Sequence, residues 1–490
     1  MLEIVVFVCG AVVMILEMVG SRILAPYLGT SIVVWTSLIG VILGCLSLGY
    51  WWGGRIADRN PSPQNLSVII LLAAFCVAGV SVSKTMVLDW IQASSGSVHL
   101  GSTAATLILF APPSVLLGMV SPYAVKLKMN DLGKSGRTVG SLYALSTVGS
   151  IGGTFLAGFF LIAYLGSTRI LILMALTLVV TSLLASRRHL RLQGAMFLLM
   201  ILLFLAAGAY DRYLAGMDIH DVDTRYNRVM VYAGLDGKTG RMMRIMTTNP
   251  RAMQSAMYLD DPLELALDYT RFYRMATHFV SRLHNALVLG GGGYSFPKYL
   301  LHNFPSVSVH VVELDPQVTD LARRFFHLAD TPGLRIHHED ARTFLNRNQE
   351  QFDVIFVDLF TSHYAVPFHC ATVEAVKKCY EALADGGAVM ANMLSALEGK
   401  DGRFLQAAFS TFAAVFPQVY LFPVSDPVDP AEWQNVMLVA LKSTEKPIFT
   451  SKDEELNGLL RHLWTGAVSP ALPVLTDDFA PVDRYVLNWP

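Results

Sequence analysis

The chain has 490 residues, more than one ordinary domain needs, and 53% of them are hydrophobic against 15% charged, unusually apolar for a soluble enzyme. The formal net charge is −1 and no basic stripe with interleaved aromatics runs through it, so nucleic acid is excluded as an expected partner. Cys9, Cys45, Cys76, Cys370 and Cys379 include no CxxC pair. That spacing argues against a disulfide framework or a zinc site and for buried thiols that act as small apolar residues.

The apolar excess lies before residue 210, which predicts a membrane domain over 1–210. A span needs about 20 mostly apolar residues. Candidates run over Ile4–Leu24, Ile32–Gly54, Leu66–Val87, Ser102–Val125, Thr138–Leu165, Ile170–Ser186 and Gly194–Ala209, the last two being short. The first lacks a basic leading region and an A-x-A site, so a span is expected there rather than a cleaved leader. Gly40, Gly44 and the run Gly149-Ser150-Ile151-Gly152-Gly153 are expected where helices meet, since small residues allow close approach in lipid. Pro112-Pro113 would kink the fourth span. Glu17 and Arg22, five apart near the end of the first span, are either a functional pair or a structural one.

One set of loops holds Arg55, Arg59, Lys126, Lys128, Lys134, Arg137, Arg187, Arg188 and Arg191, whereas the alternate set holds little beyond Arg22 and Arg169. The positive-inside rule places the first set, and the N-terminus, in the cytoplasm. Seven full crossings then put the C-terminal half outside.

A lead-in over 211–285 follows. From Val229 to Met257 the residues alternate between turn signals such as Asp236-Gly237 and Asn249-Pro250, which predicts short strands. Leu263–Leu283 has helical spacing, and its aromatic face of Tyr269, Phe272, Tyr273 and Phe279 suits core packing.

Residues 286–490 read as an α/β domain. A buried strand, Ala286–Leu289, ends in the cluster Gly290–Gly293 and leads into a helix over Phe296–Asn303. Strands at Val307–Leu314, Arg335–His338, Phe352–Leu359 and Gly387–Met393 follow, with a helix at Pro316–Phe326. Strand and helix alternate as in βαβ units, so a parallel, doubly wound Rossmann-like sheet is expected. Ligands bind beyond the carboxyl ends of such strands. Gly290, Gly291 and Gly292 would let the backbone approach a ligand, and Glu313, 21 residues after Gly292, is placed for a ribose diol. Asp315, Asp340 with Ala341, and Asp358 complete a series of strand-end candidates, Asp340 toward an adenine amino group. The run GGGG-Y-S-F-P is not G-x-G-x-x-G, which favours an adenosine ligand without phosphates, such as S-adenosylmethionine or its decarboxylated form. His337 and His338 next to Glu339 and Asp340 look like a metal cluster, but neighbours on a strand face opposite ways, and no metal is expected.

These residues resemble those of the spermidine synthases, polyamine aminopropyltransferases with the fold of class I methyltransferases. Ala286–Gly293, Val311–Asp315, Glu339–Arg342 and Phe352–Asp358 carry the likeness in order, over roughly Asp223 to Ala440. LEMVGSRILAPYLGTS, LGYWWGGRIADR, GMVSPYAVKLK, GSLYALSTVGSIGGTF and LTDDFAPVD look like bacterial membrane-fused members, which implies a multi-pass protein of the cell (inner) membrane. The resemblance implies that Glu313 holds the ribose and Asp340 the adenine, and that Asp358 borders the sulfonium. It implies that Asn227, Gln254 and Tyr273 line the nucleoside or amine site. Soluble members usually have aspartate where Gly293 stands, and a second aspartate soon after the fourth strand. Its nearest replacement is His363, a candidate catalytic base beside Asp358.

Three functions stay open. The first is aminopropyl transfer from decarboxylated S-adenosylmethionine to a diamine such as putrescine. The second is methyl or other group transfer from S-adenosylmethionine to a membrane-associated or exported acceptor. The third is a transporter or sensor whose soluble domain only binds a nucleoside or polyamine. The expected partners are a small amine or a membrane-borne acceptor and the lipid bilayer, with a homodimer among the allowed assemblies. Cofactor supply favours a cytoplasmic C-terminal domain against the outward placement given by charge. A re-entrant segment, or a last segment that does not cross, would reconcile the two, and a C-terminal domain that truly faces outward is the third possibility.

Overall fold

The computed structural model describes residues 1–490 apart from Gly96, 130–134, 250–251, 360–365, 467, 469–471 and 488–490. The chain forms two units, Met1–Arg228 and Val229–Pro490.

Among the described residues, the first unit has seven helices long and apolar enough to cross a membrane: Leu2–Leu28, Ile32–Arg59, Pro63–Ser94, Val98–Lys128, Ser135–Tyr164, Ser167–Ala185 and Leu190–Gly216. The seventh is 27 residues long, because Tyr210, Asp211, Arg212 and Tyr213 continue it past the apolar run. Pro112 and Pro113 lie within the unbroken fourth helix. The fifth helix contains a π-helical turn at Ala157–Leu161.

Close contacts between spans fall on particular glycines. A Cβ on Gly149 or Gly153 would collide with the backbone of Phe7 or Ala11 on the first span, and one on Gly49 with that of Val115 on the fourth. Gly40 and Gly44 are a correction to expectation: a Cβ there would meet nothing within 4 Å. Those positions turn away from the neighbouring helices, and Gly49 and Gly53 one to three turns on make the contact instead. After the seventh helix a short strand β1, His220–Asp223, leads to the end of the unit.

The second unit opens with three antiparallel strands, β2 (Arg228–Leu235), β3 (Met242–Thr247) and β4 (Ser255–Tyr258). The helix expected over Leu263–Leu283 is broken into Asp268–Phe272, a 3₁₀ turn Tyr273–Met275 and Ala276–Phe279. Then comes the main sheet: β5 (Asn285–Leu289), β6 (Ser308–Val312), β7 (Leu334–His337), β8 (Phe352–Val357), β9 (Leu383–Ser395), β10 (Gln418–Pro423) and β11 (Gln434–Leu441). Its order is β10-β11-β9-β8-β5-β6-β7.

Strands β5 to β9 are parallel, with helices including Ser295–Asn303, Pro316–Phe325, Ala341–Arg347 and Val373–Ala382 between them. The sheet as a whole is mixed, which corrects the all-parallel expectation. β11 pairs antiparallel with β9 and with β10. The central strands are buried runs such as Ala286–Leu289 and Val354–Phe356, as a sheet covered on both faces requires.

Candidate active site

Strand register assembles the site. Leu289 pairs with Val312 on one side and Val357 on the other, and Val312 pairs with His337. The next residue on each strand therefore emerges at one edge: Gly290 after β5, Glu313 after β6 and Asp358 after β8. Their amides continue the ladder, Gly290 donating to Val312, Glu313 to His337 and Asp358 to Leu289 at 2.8–3.0 Å.

Gly290 has φ 99°, and a Cβ there would strike the carbonyl oxygen of Asp358. Gly292 has φ 50°. Both conformations favour glycine and bring bare backbone to the strand ends. Glu313 closes over this loop. Its Oε2 accepts from the amides of Gly291 (2.9 Å) and Gly292 (3.2 Å), and its Oε1 from that of Asp315 (2.9 Å). Burial pushes the Glu313 carboxyl above its ordinary range, and the three amides pull it partly back.

Asp358 is the more demanding group. Tyr269 donates its hydroxyl to Oδ2 at 2.9 Å and Asn392 its amide to Oδ1 at 3.2 Å. Asn435 in turn donates to Asn392 Oδ1 at 2.9 Å. Burial raises the Asp358 carboxyl, against the two donors. It raises the Tyr269 hydroxyl well above its usual value, helped by the Asp358 charge, so this tyrosine stays a donor.

The other expected residues fall as follows. Tyr273 is buried against Phe296 and Phe356 and donates to the Val357 carbonyl at 3.3 Å, one residue from Asp358. Gln254 precedes Ser255, whose Oγ accepts from Gly293 at 2.9 Å, and its own Oε1 is buried with no hydrogen-bond partner among the described residues. Asp340 caps the helix that starts at Ala341: its Oδ1 accepts from Thr343 at 2.9 Å and its Oδ2 meets His369 at 3.1 Å. Burial acts to raise the Asp340 carboxyl, but the Thr343 and His369 bonds outweigh it and leave it below the ordinary value. Asp315 is 3% exposed and caps the helix starting at Pro316, its Oδ2 having no hydrogen-bond partner among the described residues. Asn227 belongs to the first unit, where its backbone closes a turn with Thr224. His363 lies outside the described residues. His337 and His338 diverge as expected, toward His310 and Thr319.

Three residues of the site were not expected from sequence. Tyr269 sits one turn before Tyr273 on the aromatic face assigned to the core. Asn392 and Asn435 interrupt the apolar runs of β9 and β11, and that polar break inside a buried strand was their signal. Asn392 is 4% exposed.

Residues 271–446 match the spermine/spermidine synthase domain family. The C-terminal part of the chain is a spermidine synthase domain. The chain is 25% identical over 210 residues to a polyamine aminopropyltransferase of Vibrio vulnificus, covering 42% of this chain and 67% of that one. It is 26% identical over 204 residues to a probable polyamine aminopropyl transferase of Bifidobacterium longum, covering 41% and 44%. The match thus spans less than half of the second relative. Among solved structures, a probable spermidine synthase from Corynebacterium glutamicum aligns at 23% identity and a TM-score of 0.41, over 53% of this chain and 91% of that one. The synthase domain of this chain contains Gly290, Glu313, Asp340, Asp358, Asn392 and Asn435, and Tyr273 near its start; Tyr269 lies two residues before the matched region.

Proposed function

We propose that the synthase domain transfers an aminopropyl group from decarboxylated S-adenosylmethionine to a diamine such as putrescine. The observation that carries this reading is the half-buried Asp358, held by Tyr269 and Asn392 at the strand end beside the glycine loop. The bare backbone at Gly290 and Gly292 and the carboxylate of Glu313 suit an adenosine, with Gly290–Gly292, Glu313, Asp315, Asp340 and Ala341 around it. The donor supplies a sulfonium that makes the adjacent carbon electrophilic. A neutral amine attacks that carbon in line, the carbon–sulfur bond breaks with its electron pair going to sulfur, and methylthioadenosine leaves. Asp358 would face the cationic centre and fix the amine, with Tyr273 and Gln254 lining the amine side and His363 taking the amine's proton.

A burial-raised carboxyl keeps its proton to higher pH than a surface aspartate. A step that needs ionised Asp358 and a neutral amine should therefore fail as pH falls. The test is to incubate the full-length protein with decarboxylated S-adenosylmethionine and putrescine and to measure methylthioadenosine. Absence of turnover with any diamine, alongside turnover of S-adenosylmethionine, would overturn the proposal.

One observation favours a second reading. A Cβ on Gly293 would stand 2.9 Å from both Phe326 and Ser255 Cβ, so this loop has no room for an acid there. An acceptor site without that acid suits methyl or other group transfer from S-adenosylmethionine to a membrane-associated or exported acceptor. Stabilisation by S-adenosylhomocysteine but not by methylthioadenosine would select it.

A further inference from the structure

The first unit contains a charged cleft of its own. The first, third and sixth long helices and the connector that ends the unit form a small, partly open cleft, lined by Arg22, Tyr27, Lys84, Ser167, Asp223 and Arg228 among others. Arg22, 13% exposed, donates to the carbonyls of Thr224, Arg225 (2.6 Å) and Asn227 (3.3 Å) and lies 3.8 Å from Asp223. Asp223 spends its Oδ2 on the amide of Ser167 at 2.8 Å. Arg228 is gripped by both oxygens of Asp221, at 2.8 and 2.5 Å.

Lys84 differs from the two arginines. Its ammonium donates to the Thr168 hydroxyl at 2.7 Å and forms no ion pair among the described residues. The cleft and the residue behind it thus bring together three cations, Arg22, Lys84 and Arg228, against two carboxylates, Asp221 and Asp223. Asp89 is exposed on the same span and does not line the cleft. The sixth helix also starts here, at Ser167, and adds the positive end of its dipole. A lysine ammonium partly withdrawn from water, hydrogen-bonded to a neutral hydroxyl and attracted only at longer range by Asp221 and Asp223, gains from an added anion inside a helical bundle.

We propose that this cleft binds a small phosphate-type oxyanion, with Lys84 as its principal counter-ion and Arg22 and Arg228 as flanking donors. The oxyanion is either free in solution or the head of a phospholipid, and the same chemistry serves both. The cleft takes in the connector Asp223–Arg228, so bound oxyanion stabilises the end of the membrane unit.

The test uses the full-length protein in detergent, with inorganic phosphate titrated at constant ionic strength and thermal unfolding as readout. Phosphate raises the midpoint of the wild type and of Lys84→Arg. Lys84→Gln needs about tenfold more phosphate for the same shift, the effect of losing one charge-assisted hydrogen bond. Lys126→Gln, an exposed lysine elsewhere, leaves the response unchanged. If the occupant is a lipid, native mass spectrometry finds a phospholipid retained by the wild type and lost from Lys84→Gln, with no phosphate response. Where Lys84→Gln fails to fold, Thr168→Val keeps the charge, releases Lys84 and gives a several-fold change in phosphate affinity. A wild type that neither responds to phosphate nor retains phospholipid overturns the proposal, as does a folded Lys84→Gln that behaves like wild type.

Discussion

Two regions of the molecule handle half-buried charge in opposite ways. In the synthase domain Glu313 and Asp358 each meet donors supplied by the fold, three backbone amides for one and a tyrosine and an asparagine for the other. In the membrane unit Lys84 meets a single neutral hydroxyl. Strand register accounts for the difference, because parallel strands of matched length deliver amides and side chains to one edge. Helices spend their backbone groups internally and leave a charged side chain to find its partner elsewhere. A carboxylate already satisfied is ready to act on a ligand, whereas a cation that forms no ion pair among the described residues is ready to receive an anion.

The comparison breaks most readily at Asp358. Asp358→Asn should lower kcat by about 10²–10³, the range for losing one group that stabilises charge at the reacting centre, while the protein stays folded. The stability sign is explicit. A carboxyl whose folded value is raised contributes stability that is present below its unfolded value and lost as pH rises through the folded one. Thermal unfolding of the wild type from pH 5 to 8 should therefore lose ground to Asp358→Asn as pH rises. A variant that is inactive and also less stable at pH 8 would mean that the carboxylate is a structural anchor.

Glu313→Ala comes next. It removes the acceptor of three amides and should weaken adenosine-ligand binding by about 10²-fold, as loss of two charge-assisted hydrogen bonds predicts, measured by calorimetry with methylthioadenosine. Unchanged affinity would move the nucleoside away from this loop. Tyr269→Phe should cost about tenfold in kcat, the worth of one hydrogen bond to a charged group. It takes away a donor that lowers the Asp358 carboxyl, so the acid limb of the pH–rate profile should shift upward. Asn435→Ala acts one bond further out, and a change of about two- to threefold with a smaller shift of the same sign is expected. If Asn435→Ala outweighs Tyr269→Phe, the relay through Asn392 is the dominant support.

Much of this was legible before the fold. Apolar runs marked the seven long apolar helices found among the described residues, and the acids after β6, β7 and β8 marked the strand ends. Four features were hidden for physical reasons. The antiparallel β10 and β11 look like any other buried apolar strand, since direction in a sheet is set by the connection and not by composition. Tyr269 carries the periodicity of its packed neighbours, and the break at Tyr273–Met275 gives no turn residue to announce it. Asp315 and Asp340 stand where an N-cap and a ligand contact call for the same residue type. Gly40 and Gly44 show that spacing identifies small residues but not the face that a neighbouring helix meets.

Gly290 has a consequence for how freely the gene can vary. Its φ of 99° and the carbonyl of Asp358 packed against it are two separate demands, and only a residue without Cβ meets both. Gly386 and Gly399 also have positive φ, 73° and 70°, but a Cβ at either would meet nothing within 4 Å. In a saturation library selected for folded protein, asparagine should survive at 386 and 399, while position 290 should return glycine alone.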